Sequence, residues 1–125
     1  MKTDASLSYS SQHLWVKQLS DNEYCAGITD YAQDLLGDIV FIDFPKVGST
    51  LSAGVSCGLI ESVKTGSDLH APMDGVVSEI HEDLLNAPEQ INDHPYQAWI
   101  FKFTSSNPEQ FSALLTADQY QQSVG

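Results

Sequence analysis

Apolar residues alternate with polar ones in short runs, and glycine, proline and asparagine interrupt them. A period of two over five to eight residues is the mark of a strand with one face in a core. Residues 13–19 and 23–28 read as a hairpin joined by the polar turn Ser20-Asp21-Asn22. Thr29 or Asp30 opens a helix of about two turns, and Gly37 stops it after Leu35 and Leu36. Residues 38–44 are the most strand-like run, with Ile39 and Phe41 on one face and Val40, Ile42 and Phe44 on the other. Pro45 ends it. A short strand at Thr50 and Leu51 lies between Gly48 and Gly54, and residues 55–63 form another strand. Residues 69–72 lead into a turn at Met73-Asp74-Gly75. Residues 76–81 follow as a strand with Val76, Ser78 and Ile80 on one face. Residues 82–97 are polar and contain prolines, and read as a long ordered loop. Residues 98–103 close the series with Trp99, Phe101 and Phe103 on one face.

The period then changes. Asn107-Pro108 starts a helix, and Phe111, Leu114 and Leu115 fall at helical spacing; Thr116 with Gln119 caps a second helical turn. Short strands, short helices and no βαβ rhythm predict a mostly-β sandwich with helical decoration, including a C-terminal helix. The 125 residues suffice for one domain. Residues 1–12 are polar and Ser-rich and read as a flexible N-terminal tail; residues 13–125 read as the single domain. The first twelve residues lack the apolar stretch of a secretion signal and the Arg-rich character of a transit peptide, so a cytoplasmic location is expected.

Charge narrows the partners. Seventeen acidic residues face five basic ones, all lysines, for a formal net charge of −12. Such a chain is a poor ligand for nucleic acid or an anionic membrane. No apolar run approaches the length of a membrane span. Cys25 and Cys57 match no metal spacing and read as small buried hydrophobes. His13, His70, His81 and His94 share no ligand spacing, and no metal is expected. Asp30 and Asp34 can share one face of the first helix, facing solvent. A monomer is expected, since no heptad or long apolar edge stands out.

One lysine stands apart. Glu61-Ser62-Val63-Lys64-Thr65-Gly66-Ser67-Asp68 carries a strand into a turn and an extended segment out of it. Gly66 permits the positive φ of a tight reversal, and Lys64 belongs at or beside a hairpin tip with its amine in solvent. Taken alone this describes an ordinary surface lysine. The flanks add a pattern: Gly54 stands ten residues before Lys64 and Gly75 eleven after it, with Ala71-Pro72 preceding. This near-symmetric layout resembles a biotinyl or lipoyl carrier hairpin. Biotin sites of that fold usually have Met on both sides of the lysine, unlike Val63 and Thr65 here.

The resemblance is more specific than the hairpin. Gly27-Ile28-Thr29-Asp30-Tyr31-Ala32-Gln33, Leu36-Gly37-Asp38-Ile39-Val40-Phe41 and Glu61-Ser62-Val63-Lys64 with Ser67-Asp68 are similar to the H protein family of the glycine cleavage system. Pro88, Ile91-Asn92, Pro95-Tyr96, Trp99 and Asn107-Pro108-Glu109 continue the likeness, which runs from His13 to Tyr120. It implies a barrel-sandwich hybrid: two small antiparallel sheets and a lipoyl hairpin. It implies a non-catalytic carrier with lipoic acid in amide linkage on Lys64. The arm would take the aminomethyl group of glycine from a pyridoxal-phosphate glycine decarboxylase to a tetrahydrofolate-dependent aminomethyltransferase. Dihydrolipoamide dehydrogenase would then reoxidise it, and lipoyl-attaching enzymes would load it. Glu61 and Asp68 flank the lysine together with Ser62 and Val63. They read either as recognition for the attaching enzyme and orientation of the arm, or as a solvated acidic loop.

Three positions depart from the family pattern. Leu14 stands where the family usually has Glu, a residue associated with the cleft that shelters the loaded arm. Thr65-Gly66 replaces an Ala after the lysine. Pro95-Tyr96-Gln97-Ala98-Trp99 is one residue shorter than usual and lacks its glycine. Leu14 in particular leaves open an alternative, an H-like lipoyl donor serving lipoate relay or another oxidoreductase.

Overall fold

Alternation and turn residues divide the chain into nine strands and four short helices in the computed structural model, which describes residues 2–124. Met1 and Gly125, the ends of the expected tail and domain, lie outside the described residues. In chain order the strands are β1 (Ser8–Tyr9), β2 (Leu14–Gln18), β3 (Glu23–Ile28), β4 (Ile39–Asp43), β5 (Thr50–Leu51), β6 (Ser56–Ser62), β7 (Gly66–His70), β8 (Gly75–Ile80) and β9 (Phe101–Ser105). The helices are α1 (Asp30–Leu36), α2 (Glu89–Asp93), α3 (Glu109–Ser112) and α4 (Ala117–Val124).

All pairings are antiparallel. One sheet runs β1-β2-β3-β9-β8-β5 and the other β4-β6-β7. Both contribute to one core: Leu14, Val16, Phe101 and Phe103 from the first meet Ile39, Ile42, Ile60 and Leu69 from the second. The fold is thus the expected two-sheet sandwich with short helices, and the sheets do not close into a barrel.

Several readings change. The segment expected as a tail is packed over its second half. Leu7 and Tyr9 are buried, β1 pairs with β2, and Tyr9 bridges Leu115. An aromatic stack drives this, with the Tyr9 and Tyr120 rings 4.9 Å apart. Residues 82–97 are not a loop throughout: a 3₁₀ turn spans Glu82–Leu85 and α2 follows Pro88. Leu84 and Ile91 anchor both in the core. Trp99 does not join the face of Phe101 and Phe103. It precedes the strand and stacks on His81 at 4.4 Å, with Lys102 Nζ 4.7 Å from its ring. A register shift between Val77 and Glu79 breaks the expected Val76, Ser78 and Ile80 face, leaving Val77 as the buried residue.

A second, smaller cluster unites Leu7, Tyr9, Trp15, Cys25, Ala117 and Tyr120. It holds α4 and the N-terminal segment to the outside of the large sheet.

Candidate functional site

Strands β6 and β7 pair up to Glu61 opposite Gly66, so Ser62, Val63, Lys64 and Thr65 make the tip. Every exit from the ladder is pinned. The Ser62 N–H donates to the Thr65 carbonyl at 2.8 Å. Ser62 Oγ accepts from the N–H groups of Lys64 (3.2 Å) and Thr65 (3.1 Å) and lies 3.1 Å from the Thr65 carbonyl. A serine hydroxyl thereby satisfies turn donors that would otherwise need water. The Val63 N–H donates to the Asp38 carbonyl at 3.0 Å, tying the tip to the start of β4. Gly66 has no positive φ, so its freedom is not what makes the turn.

Lys64 is exposed, and its stem lies across Gly37. A Cβ at residue 37 would stand 2.9 Å from Lys64 Cε and 3.5 Å from Nζ. Gly37 also caps α1 with φ +81°, a conformation that side chains disfavour. The backbone conformation therefore calls for glycine beneath the lysine, whose flexible stem is only a close neighbour there. Asn92 in α2 holds this floor: its amide donates to Gln33 Oε1 and to the Gly37 carbonyl, and its Oδ1 accepts from the Ile39 N–H, each at 2.9 Å. Among the described residues one ion pair forms, Lys102 with Glu79 at 3.4 Å, so Lys64 is not held by a carboxylate there.

A cleft of about 270 Å³ opens beside the tip, with Leu14, Leu36, Ile60 and Leu69 in its wall and Thr65 and Asp68 at the rim. Leu14 is 1% exposed and gives the cleft an apolar wall. His13 borders the same cleft in a left-handed conformation, φ +73°, unusual for a non-glycine residue. Its Nδ1 lies 2.8 Å from the Tyr120 hydroxyl, which lies 2.8 Å from Thr29 Oγ1. Thr29 Oγ1 in turn accepts the Ala32 N–H and caps α1. Burial pulls the His13 pKa below its ordinary value.

The other sequence-predicted residues fall as follows. Glu61 and Asp68 are exposed on the sheet below the tip, opposite Gly66 and Leu59. Ser62 is spent within the turn, and Val63 is 67% exposed. Asp34 faces solvent, whereas Asp30 is half-buried and accepts from the Lys2 N–H and from Gln33 Nε2. Burial pushes the Cys57 thiol up to about 11 and raises Cys25 as well. Both thiols stay protonated near neutrality and are poor nucleophiles. Among the described residues no three His, Cys, Asp or Glu side chains gather as metal ligands. Gly37 and Asn92 fall within the family-like motifs but were not legible as site residues: locally Gly37 read as a helix stop, and Asn92 lay in the supposed loop.

The family model described as Glycine cleavage H-protein matches residues 7–125. The chain belongs to that family. It is 53% identical over 125 residues to a glycine cleavage system H protein of Methylobacillus flagellatus, covering all of both chains. It is 45% identical over 118 residues to one from Escherichia coli, covering 94% of this chain and 92% of that one. A crystal structure of a glycine cleavage system H protein from Mycobacterium marinum superposes with a TM-score of 0.89 at 36% identity, covering 98% of this chain and 99% of the other. The family match begins at residue 7, so it takes in the buried Leu7 and Tyr9.

Proposed function

We propose that Lys64 is the attachment point of a lipoyl arm and that this chain is the lipoyl carrier of the glycine cleavage system. Family membership over nearly the whole chain supports the carrier role. The single observation that carries the assignment to Lys64 is its place: an exposed lysine on a pinned hairpin tip, its stem laid over the positive-φ glycine that caps α1.

The residues fit the group. An amide at Nζ needs an accessible amine, and the arm's hydrocarbon chain suits an apolar-walled cleft beside it. When bound, the lipoyl group supplies a ring disulfide that takes up two electrons and the one-carbon amine fragment left after glycine loses CO2. The chain's own work is physical. The Ser62 hydroxyl and the Asp38 carbonyl fix the root of the arm. The cleft keeps water from one side of it. The protonated cysteines keep the scaffold from exchanging with a disulfide it displays. Tethering presents one arm to three enzymes, the decarboxylase, the aminomethyltransferase and dihydrolipoamide dehydrogenase, at high effective concentration. The carrier itself is non-catalytic, monomeric and cytoplasmic in this reading; no helix among the described residues is long and apolar enough to cross a membrane.

Glu61 and Asp68 serve recognition by the lipoyl-attaching enzyme. The alternative of a lipoate-relay donor is not favoured, because the relatives named for glycine cleavage match end to end. Leu14 then gives the cleft an apolar wall.

Intact mass after growth with lipoate tests the assignment. One acyl gain is expected, absent in Lys64→Ala. No gain, or a gain that survives the substitution, overturns it. Reconstituted glycine decarboxylation separates carrier from relay: a fully lipoylated protein that supports no turnover leaves only the relay.

A further inference from the structure

The edge strand β4 does not follow the alternation its sequence predicts. Its register against β6 shifts between Ile39 and Phe41. A regular strand would put Ile39 and Phe41 on one face. The extra residue instead keeps Ile39 and Ile42 in the core and turns both Val40 and Phe41 outward, 51% and 46% exposed. Phe41 stands opposite Glu61, and Glu61 opposite Gly66, so these three form one row on the outer face. Asp43, Leu59 and Asp68 form the next row. Gly66 keeps the face low: the atoms nearest the place of a Cβ there include Leu59 Cδ1 at 3.7 Å and Glu61 Cγ at 3.9 Å. Phe41 and Leu59 thus sit among three carboxylates, with no lysine in either row. Val63 extends the apolar strip to the tip itself.

The geometry points to this outer face of β4, β6 and β7 as the docking surface for the enzyme that acylates Lys64. That enzyme presents an apolar pocket for Phe41 framed by lysine or arginine. The inference rests on Lys64 being the carrier lysine. The choice of occupant follows from reach. The amide forms at Nζ, one side chain from the backbone, so the acylating enzyme must close on the residues around the tip. Enzymes that act on the ring disulfide meet it at the far end of the arm and need no contact with these rows. In the step itself the deprotonated Nζ attacks the carbonyl of an activated lipoyl ester or mixed anhydride. The amide bond forms, the activating group leaves with the bonding electron pair, and the amine proton passes to solvent. Asp43, Glu61 and Asp68 select a cationic rim, and a desolvated aromatic is a common interface anchor.

The test uses the full chain with a purified lipoate–protein ligase, lipoate and ATP, and follows initial rates by intact mass. Phe41→Ser is expected to slow acylation roughly tenfold at subsaturating carrier, mainly through KM. Combined Asp43→Asn, Glu61→Gln and Asp68→Asn is expected to lose most of the slowing that added salt causes in the wild type. Val76→Ser, at a site 41% exposed on the other sheet, is expected to leave the rate unchanged. Where Phe41→Ser also lowers the unfolding midpoint, the charge-neutral variant decides. Wild-type rates and salt dependence in both variants overturn the docking face while leaving Lys64 as the carrier lysine. So does an equal slowing by Val76→Ser. So does a defect confined to glycine decarboxylase turnover, which hands the face to that enzyme. A wild-type protein that gains no mass overturns both readings.

Discussion

Glycines at residues 37 and 75 show how one residue type meets different demands. Both were legible as punctuation, and Gly75 read as the last residue of a turn. The structure gives another reason. Gly75 lies in β8 between Leu51 and Ser105, its φ is not positive, and a Cβ there would stand 2.2 Å from the Thr104 carbonyl oxygen. Backbone cannot move aside as a side-chain tip can. Gly75→Ala is therefore expected to cost about 3 kcal/mol. Equilibrium denaturation checks this, and an unmoved midpoint would refute the close-approach account. Gly37 meets a positive φ at the helix cap and lies under a lysine stem, a flexible neighbour that can shift. Its spacing from Leu36 announced the first. Nothing in the sequence could announce the second, because it depends on how the β6–β7 hairpin lies over α1.

At the scale of elements, legibility followed the strength of the local pattern. The strand at residues 23–28 matches β3, and α1 runs between Thr29 and Gly37 as its cap signals require. The Thr116–Gln119 cap also forms, each side chain bonding the other's N–H. The stretch from residue 82 to 97 failed because its buried residues, Leu84, Ile91 and Pro95, are too few to set a period. Its helix α2 is specified by tertiary contacts, and Asn92 is the clearest of them. One side chain there serves the end of α1 and the start of β4 together. Asn92→Ala leaves the Gly37 carbonyl and the Ile39 N–H without those partners. A loss of about 2 kcal/mol is expected, with faster amide exchange at Ile39. Unchanged exchange at Ile39 would show that the contact is dispensable.

Over the whole molecule, the hydrogen bonds of His13, Thr29 and Tyr120 join the cleft, α1 and α4 across most of the chain length. With His13 neutral and protonated on Nε2, Thr29 can donate to Tyr120 and Tyr120 to His13 Nδ1. The folded pKa of His13 lies below its ordinary 6.5. The unfolded chain therefore binds the proton first, and stability is whole above about pH 6.5 and falls as pH drops toward the folded value. Melting temperatures are expected to decline from about pH 7 to 5.5. His13→Asn, which keeps a residue tolerant of positive φ, should flatten that decline. A parallel profile in the variant would place the proton elsewhere.

The shift of register in β4 has a bearing on crowding. A carrier with Phe41 and Val63 bare to solvent invites its own copies to add strands along β4 and β7, the two free edges of the small sheet. A flat β4 would offer a continuous row of backbone donors and acceptors. The irregularity between Ile39 and Phe41 breaks that row, Asn92 Oδ1 already occupies the Ile39 N–H, and Asp43 and Asp68 set like charges on the two edges. The distortion that bares the aromatic thus also denies it a template for aggregation, so a sticky surface and a soluble one coexist on the same strand.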